Sequence, residues 1–267
     1  MIPVHDSPRS RRTPWVNYSL IAANVLVFLW MLTLSSSLVG TTRSLNQRFA
    51  EQTQGVCYGF RTAPTDADEF VCRWAFQPKE FFDTVRGHSD VLHPHRAVIL
   101  FTIISSLFLH AGWLHILGNM VFLWVFGDNV EDRLGHAGYI IFYLLAGIAA
   151  TLTQGLIDPN SIVPVLGASG AIAGVLGAYL VFFPGARVTA FIPFIIPIPL
   201  YLPAFILIGL WFAQNLVSGV ATITNTGTPD ATVAFFAHIG GFVFGMLVAF
   251  IVRATSRPRR HRGAAWR

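Results

Sequence analysis

The chain has 267 residues, of which 54% are hydrophobic and only 12% charged. A soluble domain ordinarily carries about 25% charge, so the composition excludes an ordinary water-soluble enzyme and points to a protein embedded in lipid. The formal net charge of +5 does not point to nucleic acid, because its arginines gather at the ends: Arg9, Arg11 and Arg12, then Arg253, Arg257, Arg259, Arg260, Arg262 and Arg267.

A helix needs about 20 apolar residues to cross ~30 Å of hydrocarbon. The first such run is Trp15 to Val39, and no clear cleavage site follows it, so no removable signal peptide is expected. The polar stretch 40–96 holds the only two cysteines, Cys57 and Cys72. They can form a disulfide if that loop faces an oxidising compartment. His88, His93 and His95 come close together there, but no cysteine or carboxylate pattern accompanies them. No metal is therefore expected, and no cofactor. The apolar segment Ala97 to Leu109 is too short to span and reads as a partly buried, interfacial piece.

A second span enters at His115, runs to Gly127 and leaves through the charged stretch Asp128 to Arg133. Ala137 to Ile157 makes a third span, and Ser169 to Phe183, closed by Pro184 and Gly185, a fourth. Pro193, Pro197, Pro199 and Pro203 break the region before a fifth, Ala204 to Val220, and the sixth is Thr232 to Val252. Basic clusters beside the first and last spans place both termini in the cytoplasm, which requires an even number of spans. The expectation is an all-α membrane protein of six transmembrane helices: a cytoplasmic segment 1–14, a helical domain 15–252 and a basic cytoplasmic tail 253–267. The loops 40–96, 158–168 and 221–231 then face outside, and 128–136 and 184–190 face inside.

Polar groups inside spans are costly and so are functional candidates. Here they are Ser169, His238, and the pair His115 and Asn119, with His110 just ahead of them. At 1.5 Å per residue the fourth span covers about 22 Å, which puts Ser169 roughly 8 Å below the outer surface. His238, six residues into the sixth span, lies about 9 Å down by the same rise. His115 and Asn119 are four apart, on one helix face. Three segments thus bring polar groups into one shallow layer, and a serine with a histidine is the pair needed to make a nucleophile. Gly170 and Gly174, and Gly241 and Gly245, have the small-xxx-small spacing that lets membrane helices pack closely.

Gly167-Ala168-Ser169-Gly170, Ala237-His238-Ile239-Gly240, the set His110, His115 and Asn119, and the run Glu131 to His136 together resemble the rhomboid intramembrane serine proteases, over roughly residues 97–250. The resemblance implies a six-helix rhomboid-like bundle with a Ser169–His238 dyad in a water-filled cavity open to the outside. No Asp or Glu lies inside an assigned span as a third member. His238 would be general base and then general acid. The Ser169 backbone N–H, Asn119 and His110 would hold the oxyanion, and His115 would support the cavity. The fifth helix would be the substrate gate, with Trp211 and Gln214 as packing and gate residues. Some members carry an aromatic residue four positions after the serine, able to stack on the imidazole. Here that position is Ala173, so the ring needs other support. The implied partners are single-span membrane-protein substrates and the lipid bilayer, with no nucleic acid, and the expected location is a bacterial plasma membrane. A transporter would ordinarily show midplane carboxylates or paired broken helices, and none are visible. The other reading is a catalytically inactive rhomboid-like membrane-binding or quality-control protein, which would be expected to lack the serine or the histidine.

Overall fold

The computed structural model of the protein describes residues 2–8, 10–34, 66–87, 96–192, 196–224 and 234–255. In chain order these form β1 (Ile2–Asp6), α1 (Trp15–Leu34), α2 (Asp66–Trp74), α3 (Pro78–Arg86), α4 (Arg96–Ser105) with a 3-10 turn at Ser106–Phe108, α5 (Trp113–Leu134) and α6 (His136–Ile157). Then follow α7 (Ser169–Phe182), β2 (Arg187–Ile192), β3 (Ile196–Pro203), α8 (Ala204–Thr224) and α9 (Phe235–Thr255). Cys57, His88, His93, His95 and the tail residues 256–267 lie outside the described residues. Cys72 is buried on α2 and is not a free thiol.

The architecture is mostly helical. Among the described residues α1, α6, α8 and α9 are each long and apolar enough to cross a membrane. The segment from Arg96 to Phe108 passes the same test jointly with α5, but the two meet at a 78° bend, which brings the total to five. Leu26, Leu114, Ile141, Val217, Leu247 and Ile251 are all more than half exposed. In water such apolar surface would drive aggregation; against lipid it is the expected outer face.

At the centre is α7, a shorter apolar helix of 14 residues. A helix apolar all round is one that is buried all round, and residues 170–179 of α7 are all buried. It packs against α9, α6 and α5. Its contact with α9 is backbone to backbone. A Cβ on Gly245 would overlap the Gly174 carbonyl oxygen, one on Gly241 that of Gly170, and one on Gly177 that of Phe242. Gly245→Val should therefore push α9 off α7 and cost about 1–3 kcal/mol or more. Melting in detergent should show a clear fall in Tm, whereas Gly209→Val, with open space where its Cβ would stand, should melt as wild type. Equal melting of the two variants would contradict this packing.

A buried polar network ties α5 and α6 to the start of α1. The Glu131 carboxylate accepts the backbone N–H groups of Val16 (3.0 Å) and Asn17 (2.7 Å). A carboxylate at a helix N-terminus meets both unsatisfied donors and the positive end of the dipole. Glu131 Oε1 also lies 2.5 Å from His136 Nδ1. Gly135, at φ +74°, makes the turn between them, a left-handed backbone that favours glycine. The Glu131 to His136 run picked out in the sequence thus has a definite structural role.

The all-α expectation needs correction, because a three-stranded antiparallel sheet in the order β1-β2-β3 stands beside the bundle. The prolines read as chain breakers at 197, 199 and 203 belong to β3, an edge strand. Proline is tolerated at an edge because its missing N–H costs no ladder bond there. The 1–14 segment supplies β1, which pairs with β2 between Ile2↔Phe191 and Asp6↔Val188.

Asp6 anchors β1 to the bundle. Its Oδ2 accepts from the Tyr179 hydroxyl (2.5 Å) and from Asn129 Nδ2 (2.9 Å). Burial pushes the Asp6 carboxyl up to about 7, against the lowering effect of the Tyr179 hydrogen bond. A carboxyl whose pKa rises on docking stabilises the docked strand fully below pH about 4 and loses that contribution as pH rises through about 7. Hydrogen exchange of residues 2–6, corrected for intrinsic rates, should show protection at pH 5.5 that weakens by pH 8. Asp6→Asn, which keeps an acceptor but cannot ionise, should remove that pH dependence. Identical protection at both pH values in wild type would contradict it.

Candidate active site

Gly167 sits two residues before α7 at φ +125°, a conformation side chains rarely adopt. A Cβ there would also lie 2.8 Å from His115 Cε1 and Nε2. The approach to α7 is pinned from two sides. The Gly167 N–H donates to the Ser106 carbonyl (2.9 Å), and Val165 exchanges backbone hydrogen bonds of 2.7 and 3.2 Å with Phe76. This fixes Ser169, the first residue of α7, at the end of the central helix.

His238 arrives from α9, one turn in from its start. The Gln154 side chain of α6 accepts the backbone N–H groups of Phe236 (3.1 Å) and Ala237 (3.3 Å), so it satisfies two of the orphan donors at that helix end. His238 is buried, and its Nε2 lies 2.7 Å from Ser169 Oγ. Its Nδ1 lies 2.5 Å from Asn215 Oδ1 of α8. The Trp211 ring, one turn earlier on α8, has its centroid 5.5 Å from that of the imidazole at 40°. The support that Ala173 cannot give therefore comes from another helix.

His115 stands beside this pair, with His110 against it and Asn119 one turn further along α5. The rings of His110 and His115 stand edge to face at 5.1 Å, and His115 lies against the Gly167 backbone. His110 is 1% exposed, and neither of its ring nitrogens meets a well-aligned partner among the described residues. Asn119, one turn beyond His115 on α5, is 7% exposed, and its Nδ2 has no hydrogen-bond partner among the described residues. A buried donor without a partner costs about 1–3 kcal/mol, a cost usually carried where a ligand or reacting group completes the bond.

The structure thus brings Ser169 and His238 into hydrogen-bonding contact and sets His115 and His110 beside the entrance to α7. Trp211 joins the site, while Gln214 is exposed on another face of α8. Asn215 and Gln154 were missed in the sequence reading. Both are polar residues in otherwise apolar helices, the same signal that singled out Ser169. No group of three His, Cys, Asp or Glu side chains converges to hold a metal among the described residues. Chemically, the Oγ–Nε2 contact can pass a proton from serine to imidazole, and a free amide donor can receive negative charge.

Membrane-spanning helices with a serine and histidine hydrogen-bonded between them define an integral membrane protein of a particular kind. A family model described as the rhomboid domain matches residues 99–255, and the chain belongs to the rhomboid family. It is 27% identical over 173 residues to rhomboid-like protein 11, chloroplastic, of Arabidopsis thaliana, covering 65% of this chain and 60% of that protein. It is 31% identical over 166 residues to rhomboid protein 1, mitochondrial, of Saccharomyces cerevisiae, covering 60% and 44% respectively. RHOMBOID-like protein 1 of Arabidopsis thaliana is 31% identical over 195 residues, covering 68% and 44%. The chain spans about half the length of the curated relatives it matches.

Proposed function

We propose that the chain is an intramembrane serine endopeptidase that cleaves single-span membrane proteins near the outer surface. The observation that carries this reading is the 2.7 Å contact between Ser169 Oγ and His238 Nε2 within the helical bundle. In this reading Ser169 Oγ attacks the scissile carbonyl carbon while its proton passes to His238 Nε2. The resulting oxyanion is held by the Ser169 backbone N–H, Asn119 Nδ2 and His110, donors in place before charge develops. As the tetrahedral intermediate collapses, the C–N bond breaks and His238 gives its proton to the leaving amine. Water, activated by the same imidazole, then hydrolyses the acyl-serine.

The topology proposed with it has six spans, α1 and α5 to α9, with both termini cytoplasmic, as the terminal arginines favour. Ser169 then opens toward the outer side, and at 14 residues α7 is about 21 Å long, so it starts below that surface. We place the protein in a bacterial plasma membrane, as read from the sequence; the names of two of the relatives place those proteins in a chloroplast and a mitochondrion. The partners are single-span membrane proteins and the bilayer, not nucleic acid. A catalytically inactive binding or quality-control role is disfavoured, because such a protein has no need of a serine hydrogen-bonded to a buried histidine.

The direct test uses the purified chain in liposomes with single-span reporter proteins. Cleavage into two fragments, mapped by mass spectrometry to the outer end of the reporter span, is expected. No cleavage of any reporter by a folded chain, or cuts only in a soluble region far from the span, would favour the inactive reading.

A further inference from the structure

We infer that Asn215 is a positioning residue that selects the tautomer and orientation of His238, clamping the imidazole from α8. The inference rests on the reading that Ser169 and His238 carry out the chemistry. It follows from which end of the Asn215 amide faces the ring. Asn215 Nδ2 donates to the Trp211 carbonyl one turn earlier at 2.8 Å. Reversing the amide would set Oδ1 against that carbonyl oxygen, two acceptors together at a residue only 6% exposed. Oδ1 is therefore the atom that faces His238 Nδ1, at 2.5 Å.

An amide oxygen can only accept, so Nδ1 carries the proton. Neutral imidazole has one protonated nitrogen, and Nε2 is left bare toward Ser169 Oγ. That is the one tautomer able to take the serine proton. Without the clamp the ring is free to hold its proton on Nε2, where it would oppose the serine instead of accepting from it. When Nε2 takes the proton, both nitrogens donate, and the Asn215 oxygen still accepts from one of them. The Trp211 ring, packed against the imidazole, restrains the ring plane. In the soluble serine hydrolases a buried carboxylate holds the corresponding nitrogen. A neutral amide does so here without placing a charge in the bilayer, which would be costly.

The role separates from packing by the chemistry of the replacement. Asn215→Leu keeps the size and removes the acceptor. Asn215→Asp keeps an acceptor and adds a charge. With the full chain in detergent and a cleavable reporter, Asn215→Leu should lower kcat by about 10–100-fold with KM little changed. Asn215→Asp should recover most of that loss. If Asn215 only packs, the order reverses: leucine is tolerated and aspartate is the damaging change. Wild-type kcat in a folded Asn215→Leu variant would overturn the assignment, as would equal loss in both. A measurement on the unaltered residue does not depend on how the variants fold. In protein labelled with ¹⁵N-histidine, with the His238 signals assigned by their loss in His238→Ala, the ring should be protonated at Nδ1 and bare at Nε2. A ring protonated at Nε2 would overturn the inference. Wild type without Ser169-dependent cleavage would bring down the protease reading instead, whereas Ser169-dependent cleavage unaffected by Asn215→Leu brings down only the positioning role.

Discussion

Ser169→Ala and His238→Ala should each reduce reporter cleavage by at least about 10⁴-fold, because residues that act as one chemical unit fail together. Ser169→Ala removes the atom that would form the acyl-enzyme. His238→Ala leaves the serine but takes away the acceptor 2.7 Å from its Oγ, and a hydroxyl that cannot shed its proton is a weak nucleophile. Both variants should fold. Ser169 is a half-buried residue at the first position of α7, and the close contact of α7 with α9 is made by glycines further along both helices. The double variant should be no worse than either single one, and comparison of kcat in the three variants checks this. Losses that multiply in the double variant would mean that the two residues act independently.

The second large effect belongs to the oxyanion. Asn119→Ala removes an amide donor that is buried and has no partner among the described residues. The bond it would make appears only when charge develops on the substrate oxygen, so its loss should fall on kcat and leave KM little changed. Removing one such donor typically costs about 10²–10³ in kcat. His110→Ala should behave in the same way if one of its ring nitrogens is the second donor, since that ring is buried at the same entrance. Relieving the unmet donor should also make Asn119→Ala at least as stable to heat as wild type. Steady-state kinetics with matched melting curves separates the two effects. A folded Asn119→Ala variant with wild-type kcat would show that the asparagine is structural.

Much of this was legible in the sequence because a bilayer imposes strict rules. Hydrocarbon demands long apolar runs, so the helices from Trp15, His136, Ser169 and Ala204 begin within a residue of the expected positions. It also penalises stray polar groups, which made Ser169, His238 and Asn119 stand out. The same rule applied evenly would have marked Gln154 and Asn215. They escaped because neither sits in a recognisable motif, and because Gln214 and Asn215 are adjacent, with only the rotation of α8 deciding which of them meets His238. The sheet was hidden for another reason. β1 is five residues long with polar His5 and Asp6 at its end, and β3 carries the prolines of an edge strand, so neither has the alternation that marks a strand. Their pairing depends on contacts between residues far apart in the chain, such as Asp6 with Tyr179, which no local pattern reports.

The central claim is that Ser169 is a nucleophile activated by His238, and it can be tested without knowing any substrate. A fluorophosphonate probe reacts with a serine whose proton is being withdrawn and leaves a stable adduct. With the full chain folded in detergent, the adduct should map by peptide mass to Ser169 alone, vanish in Ser169→Ala and form far more slowly in His238→Ala, while Asn119→Ala still labels. Folded wild-type protein that takes no label at Ser169, or labels there equally fast without His238, would contradict the account.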